Sequence, residues 1–321
     1  VIEVVVSVAI FTIVMGAIFG LLKVARGGRI NTGQRTEVFQ NARVALNAMT
    51  RDALNAGVGY PNTGALIPDN KLSLIGIAAD ADTTPDYLTP AYAGNNLNSV
   101  NGTMTDQVTF LYVDDVFNAG ASVPISAISD PAGTNTALTV QAGFNNTPCS
   151  VGDLYLITGT NGSAIGMLTS KTGTNTLNFG NTDPLGINSP GVKSALDTLV
   201  MPASILKLNW VTYYVSDEDG NGTGTGTLMR RVFGGFNTST NAMLNWTDQP
   251  LAFGIEDMQI QYVLASGAVV DLPTTTQMDD IRQVRVTVAV RSPDIDPKNN
   301  QPFRSSVTCS VSTRNLVYEK L

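Results

Sequence analysis

The chain has 321 residues and a mass of 33.9 kDa, enough for one large domain or two modest ones with a substantial core. Only 14% of residues are charged against 43% apolar, so the polar surface falls mostly to Gly, Asn, Ser and Thr, and a net charge of -7 disfavours nucleic acid as a bulk partner. Histidine is absent, which excludes Ser-His-Asp and Cys-His catalysis, His-ligated zinc and c-type haem attachment.

The chain opens VIEVVVSVAIFTIVMGAIFGLLKVARGG, with no charge from Val4 to Leu22. As a helix this run measures about 28 Å, close to the thickness of a bilayer core. It is too long for the apolar region of a secretory signal, and no small-residue cleavage site follows it. Glu3 stands at its margin, where a carboxylate needs a cationic partner or headgroup-level water. Lys23, Arg26 and Arg29 follow the run on what is read below as the outer side, against the positive-inside rule. The expectation is that a more basic leader preceded Val1 and was removed.

Past Gly27, Gly28 and Gly33 the helical pattern resumes. Val38, Ala42, Ala45, Leu46, Met49 and Ala53 recur at helical spacing, with Gln40, Arg43, Asn47 and Arg51 on another face. Gly57, Gly59 and Pro61 end it. Residues 1–56 are therefore predicted as one helix about 80 Å long, apolar all round over 1–22 and amphipathic over 34–56. Gly16 and Gly20 form a GxxxG, a site for close helix packing or local melting, or simply two small residues in an apolar helix.

Beyond Pro61 short β-like runs alternate with Gly/Asn/Thr/Pro clusters. LYLITG (154–159) and AIGMLTS (164–170) flank a hairpin signal at 160–163. Val108, Phe110 and Tyr112 alternate with polar residues, although Leu111 interrupts them; Met258, Ile260 and Tyr262 alternate cleanly. So do Val284, Val286, Val288 and Val290, and then Val307, Cys309 and Val311. The predicted fold class is α+β: a long N-terminal helix packed by its second half on a predominantly antiparallel sheet. A soft boundary near residue 200 divides the β-rich part into an elaboration (57–200) and a core sheet (201–321).

The opening VIEVVVSVAIF, a lone Glu before a long apolar helix, resembles a type IV pilin after prepilin peptidase cleavage. RVALNAMTRDALNAGVGYP resembles the end of that helix in PilW-like pilins, and VGDLYLITGTNGSAIGMLTS, FGIEDMQIQYVL, IRQVRVTVAVRS and VTCSVSTRNLVY resemble later stretches of the same group. Family members begin with a methylated Phe and carry the Glu fifth. Here Glu is third, so two residues are expected before Val1, and the family's frequent helix Pro is absent. The resemblance implies a structural subunit that polymerises through its apolar helix into an extracellular filament, with Glu3 meeting an N-terminal amine during assembly. The implied partners are further copies of the chain, other pilins, the inner-membrane assembly machinery, and membrane lipid before assembly. A minor, filament-initiating pilin and a type II secretion pseudopilin are the nearest alternatives.

No enzyme activity and no cofactor is expected. Asp217, Asp219 and Asn221 mimic the start of a calcium loop, but Leu228 stands where a bidentate Glu is required, and the flanking strands favour a hairpin tip. Asp114-Asp115, Asp279-Asp280 and Asp294/Asp296 are carboxylate pairs that read as solvated surface more readily than as acid/base machinery. Asn101, Asn145, Asn161, Asn221, Asn237 and Asn245 head N-x-S/T triplets consistent with exposed loops. Cys149 and Cys309 read as a disulfide, which a periplasmic folding site favours, or Cys309 as a small buried hydrophobe. A membrane-anchored adhesin remains a different class of reading, with Trp210 and Trp246 offering a sugar platform.

Overall fold

The computed structural model describes residues 2–79, 81–129, 135–144, 146–188, 195–217, 225–296 and 300–313. The first element, α1 (Ile2–Asn55), is a single helix of 54 residues, about 80 Å long. It runs unbroken through Gly16, Gly20, Gly27, Gly28 and Gly33. No Pro interrupts it, and the Ser7, Thr12, Thr32 and Thr36 hydroxyls donate to carbonyls four residues back at 2.8–2.9 Å. Gly57 and Gly59 take positive φ beyond its end. The exit is pinned to the sheet, because Gly57 N–H donates to the Leu111 carbonyl and Val113 N–H to that of Val58.

The strands follow in chain order. They are β1 (Ala65–Ile67), β2 (Asp86–Leu88), β3 (Ala91–Val100), β4 (Thr103–Val113), β5 (Val123–Ser129) and β6 (Asn135–Val140). Then come β7 (Leu154–Gly159), β8 (Gly162–Met167), β9 (Ser170–Thr172), β10 (Thr176–Gly180), β11 (Ala203–Ser216) and β12 (Gly226–Phe233). The last are β13 (Phe236–Asn237), β14 (Ala242–Met243), β15 (Trp246–Leu264), β16 (Val269–Val270), β17 (Ile281–Asp296) and β18 (Gln301–Ser312).

All but β13 and β14 join one branched sheet with the path β18-β17-β15-β12-β11-β5-β6-β10-β9. Its pairs are antiparallel except for a parallel contact between Leu66 and Ala164. β11 is the shared strand. Its first half pairs with β5 and β7, its second half with β4 and β12, so the stretches before and after residue 200 share one sheet. The β7–β8 hairpin is tighter than the sequence suggests: Gly159 pairs with Gly162, leaving a two-residue turn.

Two apolar cores flank β11. The first joins the helix to β3, β4, β12, β15 and β17, with Val284, Val286, Val288 and Val290 buried as their alternation predicts. Leu111 breaks the alternation in β4 because both faces of that strand are covered: Phe110 and Leu111 are both buried. The second core lies under β5–β10 and is threaded by Phe144, Phe117, Tyr155 and Phe179, successive rings meeting edge to face at 5.8–6.1 Å.

The expected disulfide is not formed. Cys149 is buried in the second core and its carbonyl accepts a 2.7 Å bond from Lys171 of β9, at one end of the strand path. Cys309 lies on β18 at the other end, 3.6 Å from Thr50 of the helix. Strands about 4.8 Å apart place the two thiols far beyond bridging distance. Burial pushes the Cys149 thiol up. Native protein should therefore yield two free thiols on alkylation and peptide mapping, half-buried Cys309 reacting first and Cys149 only on unfolding. A mapped Cys149–Cys309 peptide would contradict this arrangement.

Candidate assembly surface

The helix divides into two physically different halves. Every residue from Ile2 to Arg26 is exposed, and no described part of the chain covers them. Ile2, Val4, Val5, Phe11, Ile13, Phe19, Leu21 and Leu22 stand with more than half of their surface free. Removing such a side chain from water is worth roughly 1.5–3 kcal/mol, so this stem must be satisfied by lipid or by other helices. The Ser7 and Thr12 hydroxyls are satisfied inside the helix, which leaves Glu3 as the polar group in need of a partner. The Val1 amine expected to meet it lies outside the described residues. Gly16 and Gly20 open onto free space, available for close approach by another helix. Lys23, Arg26 and Arg29 form an exposed basic collar where the apolar run ends.

The second half is docked. Val38, Ala42, Ala45, Leu46, Met49 and Ala53 are buried against β15, β17 and β18, as their spacing predicts. Two side-chain contacts fix the docking. Where the helix joins the sheet, Phe39 meets Phe303 of β18 at 6.3 Å and the Arg35 guanidinium lies 5.1 Å over the same ring.

At the far end Asp52, 1% exposed, receives three donors from three strands. The Tyr213 hydroxyl of β11 and Nε of Arg230 of β12 each donate at 2.8 Å to one oxygen, and the Tyr112 hydroxyl of β4 donates at 3.2 Å to the other. Arg230 also donates to Gln249 at 3.2 Å. Burial, reinforced by the Asp52 charge, pushes the Tyr112 phenol up to about 12 and Tyr213 further. Burial alone would lower Arg230, but the charge and hydrogen bond of Asp52 outweigh it and hold the guanidinium above its usual value. Local sequence pattern alone does not reveal this cluster. The available signal was spacing: Asp52 falls three residues after Met49 and seven after Ala45, on the buried stripe.

The other candidate sites do not converge. Asp217 accepts a 3.3 Å bond from the Asn101 backbone, in the β11–β12 hairpin that the flanking sequence predicts. Asp219, Asn221 and Asn145 lie outside the described residues, as do the side chains of Asp279, Asp294 and Asp296. Asp114 is used locally, accepting from Val116 N–H at 3.0 Å. Among the described residues, no three His, Cys, Asp or Glu side chains come together as a metal site. The tryptophan platform is overturned. Trp210 is fully buried and stacked on Phe233 at 4.5 Å, while Trp246 meets the Phe233 edge and carries the Arg231 guanidinium at 4.3 Å.

The segment from β11 to just past β18 thus builds the sheet on which the helix docks and supplies Tyr213 and Arg230. Residues 212–316 match the PilW family, type IV pilus-assembly protein W. The match spans about a third of the chain and supports a type IV pilus-associated family, with a helix ahead of it long and apolar enough to cross a membrane. No curated protein and no solved structure matches the chain.

Two predictions follow from the docking cluster. Removing one member of a buried ion pair typically costs about 3–5 kcal/mol, because the other charge is left without compensation. Asp52→Ala should lower stability by about that much in chemical denaturation of the detergent-solubilised chain. Asp52→Asn should cost less, since the amide oxygen can still accept from Tyr213 and Arg230 while the amide N–H donates to the Tyr112 hydroxyl oxygen. The second concerns alkaline pH. Tyr112 and Tyr213 hold their protons in the folded chain above the ordinary value of about 10, so the folded state binds more protons there than the unfolded state. Their contribution is complete below about pH 10 and is lost as pH rises towards 12. Phenolate absorbance from these residues should emerge together with unfolding; ionisation of every tyrosine in a chain that stays folded would contradict the cluster.

Proposed function

We propose that this chain is a pilin-type structural subunit, without catalytic activity, that polymerises through its apolar helix into a type IV pilus-like filament on the cell surface. Before assembly the helix would sit in the inner membrane with the β domain on the periplasmic side. The observation that carries this reading is the division of one helix into a bare apolar stem and a firmly docked half. A simple membrane anchor needs neither a stiff continuation into the domain nor a carboxylate at its head. In a filament the stems exchange lipid for one another, keeping apolar surface out of water while close packing supplies contacts. A head-to-tail contact that does not close on itself extends indefinitely.

In such a core the Glu3 carboxylate is costly unless a cation meets it, and the N-terminal amine of a neighbouring copy is the natural partner. The pair sets axial register between stems more than it adds net stability.

A second reading is favoured by the matched family itself, whose description is that of an assembly protein. In that reading the chain is a minor subunit that starts or caps filaments, or a type II secretion pseudopilin. Mass spectrometry of sheared filaments separates the two: abundant subunit supports the main component, trace subunit the assembly role.

The common requirement is tested at Glu3. Glu3→Ala and Glu3→Gln should leave the domain folded and the membrane pool intact by immunoblot, while filament number per cell falls at least several-fold. Wild-type filament counts in both variants would reduce the helix to an anchor.

A further inference from the structure

Tyr87 on β2 is 57% exposed, although the backbone beneath it is held rigidly. The Tyr60 hydroxyl donates to the Leu88 carbonyl at 2.7 Å. Gly64, at φ +91°, packs so closely on that carbonyl that an added Cβ would lie 2.9 Å from its oxygen. Leu66 of β1 is the direct cross-strand neighbour of Tyr87. On the rim, Thr84 donates to Asp82 Oδ1 from its backbone N–H at 2.8 Å and its hydroxyl at 3.0 Å.

Two depressions share Tyr87 in their lining. One, of about 350 Å³, is lined by Thr63, Leu66, Asn161 and Ser163 among others. The other, of about 420 Å³, is lined by Asp82, Thr84, Asp86, Thr89 and Thr276 among others. Tyr87 and Thr63 belong to both. Neither contains Lys or Arg, so nothing in the lining selects an anion. It offers one exposed aromatic side chain beside hydroxyls, an amide and carboxylates, of which Ser163 and Thr89 are buried and bonded within the chain. That set suits a molecule with apolar C–H faces and many neutral hydroxyls: a sugar face stacks on the ring while its hydroxyls bond to the rim. Two adjoining depressions that share Tyr87 and Thr63 fit an extended run of sugar units better than one alone.

The position is also suitable. Thr63 follows shortly after the helix end at Asn55, and the apolar run stops at Leu22. The helix end that leads into this region lies about 50 Å along the helix axis from the end of the apolar run.

We propose that Tyr87 and the two depressions beside it form a binding site for a neutral polysaccharide. The site uses no residue of the stem, so its failure leaves the filament reading standing.

The test is affinity electrophoresis of the full chain, kept in a zwitterionic micelle free of sugar headgroups, through native gels containing dextran, laminarin or galactomannan. Wild type should be retarded by at least one of these, Tyr87→Ala should lose the retardation at least tenfold, and Tyr87→Phe should keep most of it, because stacking uses the ring. Circular dichroism of Tyr87→Ala should match wild type. Absence of retardation by all three polysaccharides, or retardation unchanged in Tyr87→Ala, would overturn the proposal. So would a Tyr87→Ala chain that still binds polysaccharide but associates less with other copies, since the ring would then be a protein contact.

Discussion

Asp52 holds the end of the helix to three strands at once, through Tyr112, Tyr213 and Arg230, and the placement of the stem follows from that contact. A helix laid on a sheet by apolar side chains alone can slide or rotate at modest cost, because apolar contacts are not directional. A buried carboxylate with three specific donors cannot, since any shift leaves charge and hydroxyls unsatisfied. With Phe39 and Arg35 on Phe303 at the other end of the docked half, the helix is held at two separated points. Those two points fix the direction in which the stem leaves the domain.

Docked and bare surface are therefore divided along one element. The docked half loses its apolar stripe to the first core, as in any surface helix of a globular domain. The stem leaves its apolar surface uncovered by the described part of the chain. The basic collar at Lys23, Arg26 and Arg29 marks the change. The carboxylates at the two ends of the helix have opposite surroundings: Asp52 is buried and bound by three donors within the chain, and Glu3 is exposed on the bare stem.

The sheet accommodates two cores because β11 is long enough to serve both, exchanging its neighbours halfway along its length. The matched family segment begins within this strand and covers the helix-docking side. The β5–β10 side adds surface and a second aromatic core without touching the helix contact. Tyr87 sits on β2 beside the carbonyl held by Tyr60, just past the helix end, and takes no part in the Asp52 cluster.

The long helix, its two halves, its stop at Gly57 and the alternating strands from β15 onward were legible in the sequence, because each is a local pattern of side chains repeated at 3.6 or 2 residues. Contacts between distant segments were not. Asp52 and Arg230 are 178 residues apart, and no periodicity links them. The separation of Cys149 from Cys309, the burial of Trp210 and the exposure of Tyr87 depend on which strands become neighbours and which face each presents. Strand order is set by the summed packing of whole surfaces, and only the folded chain decides it.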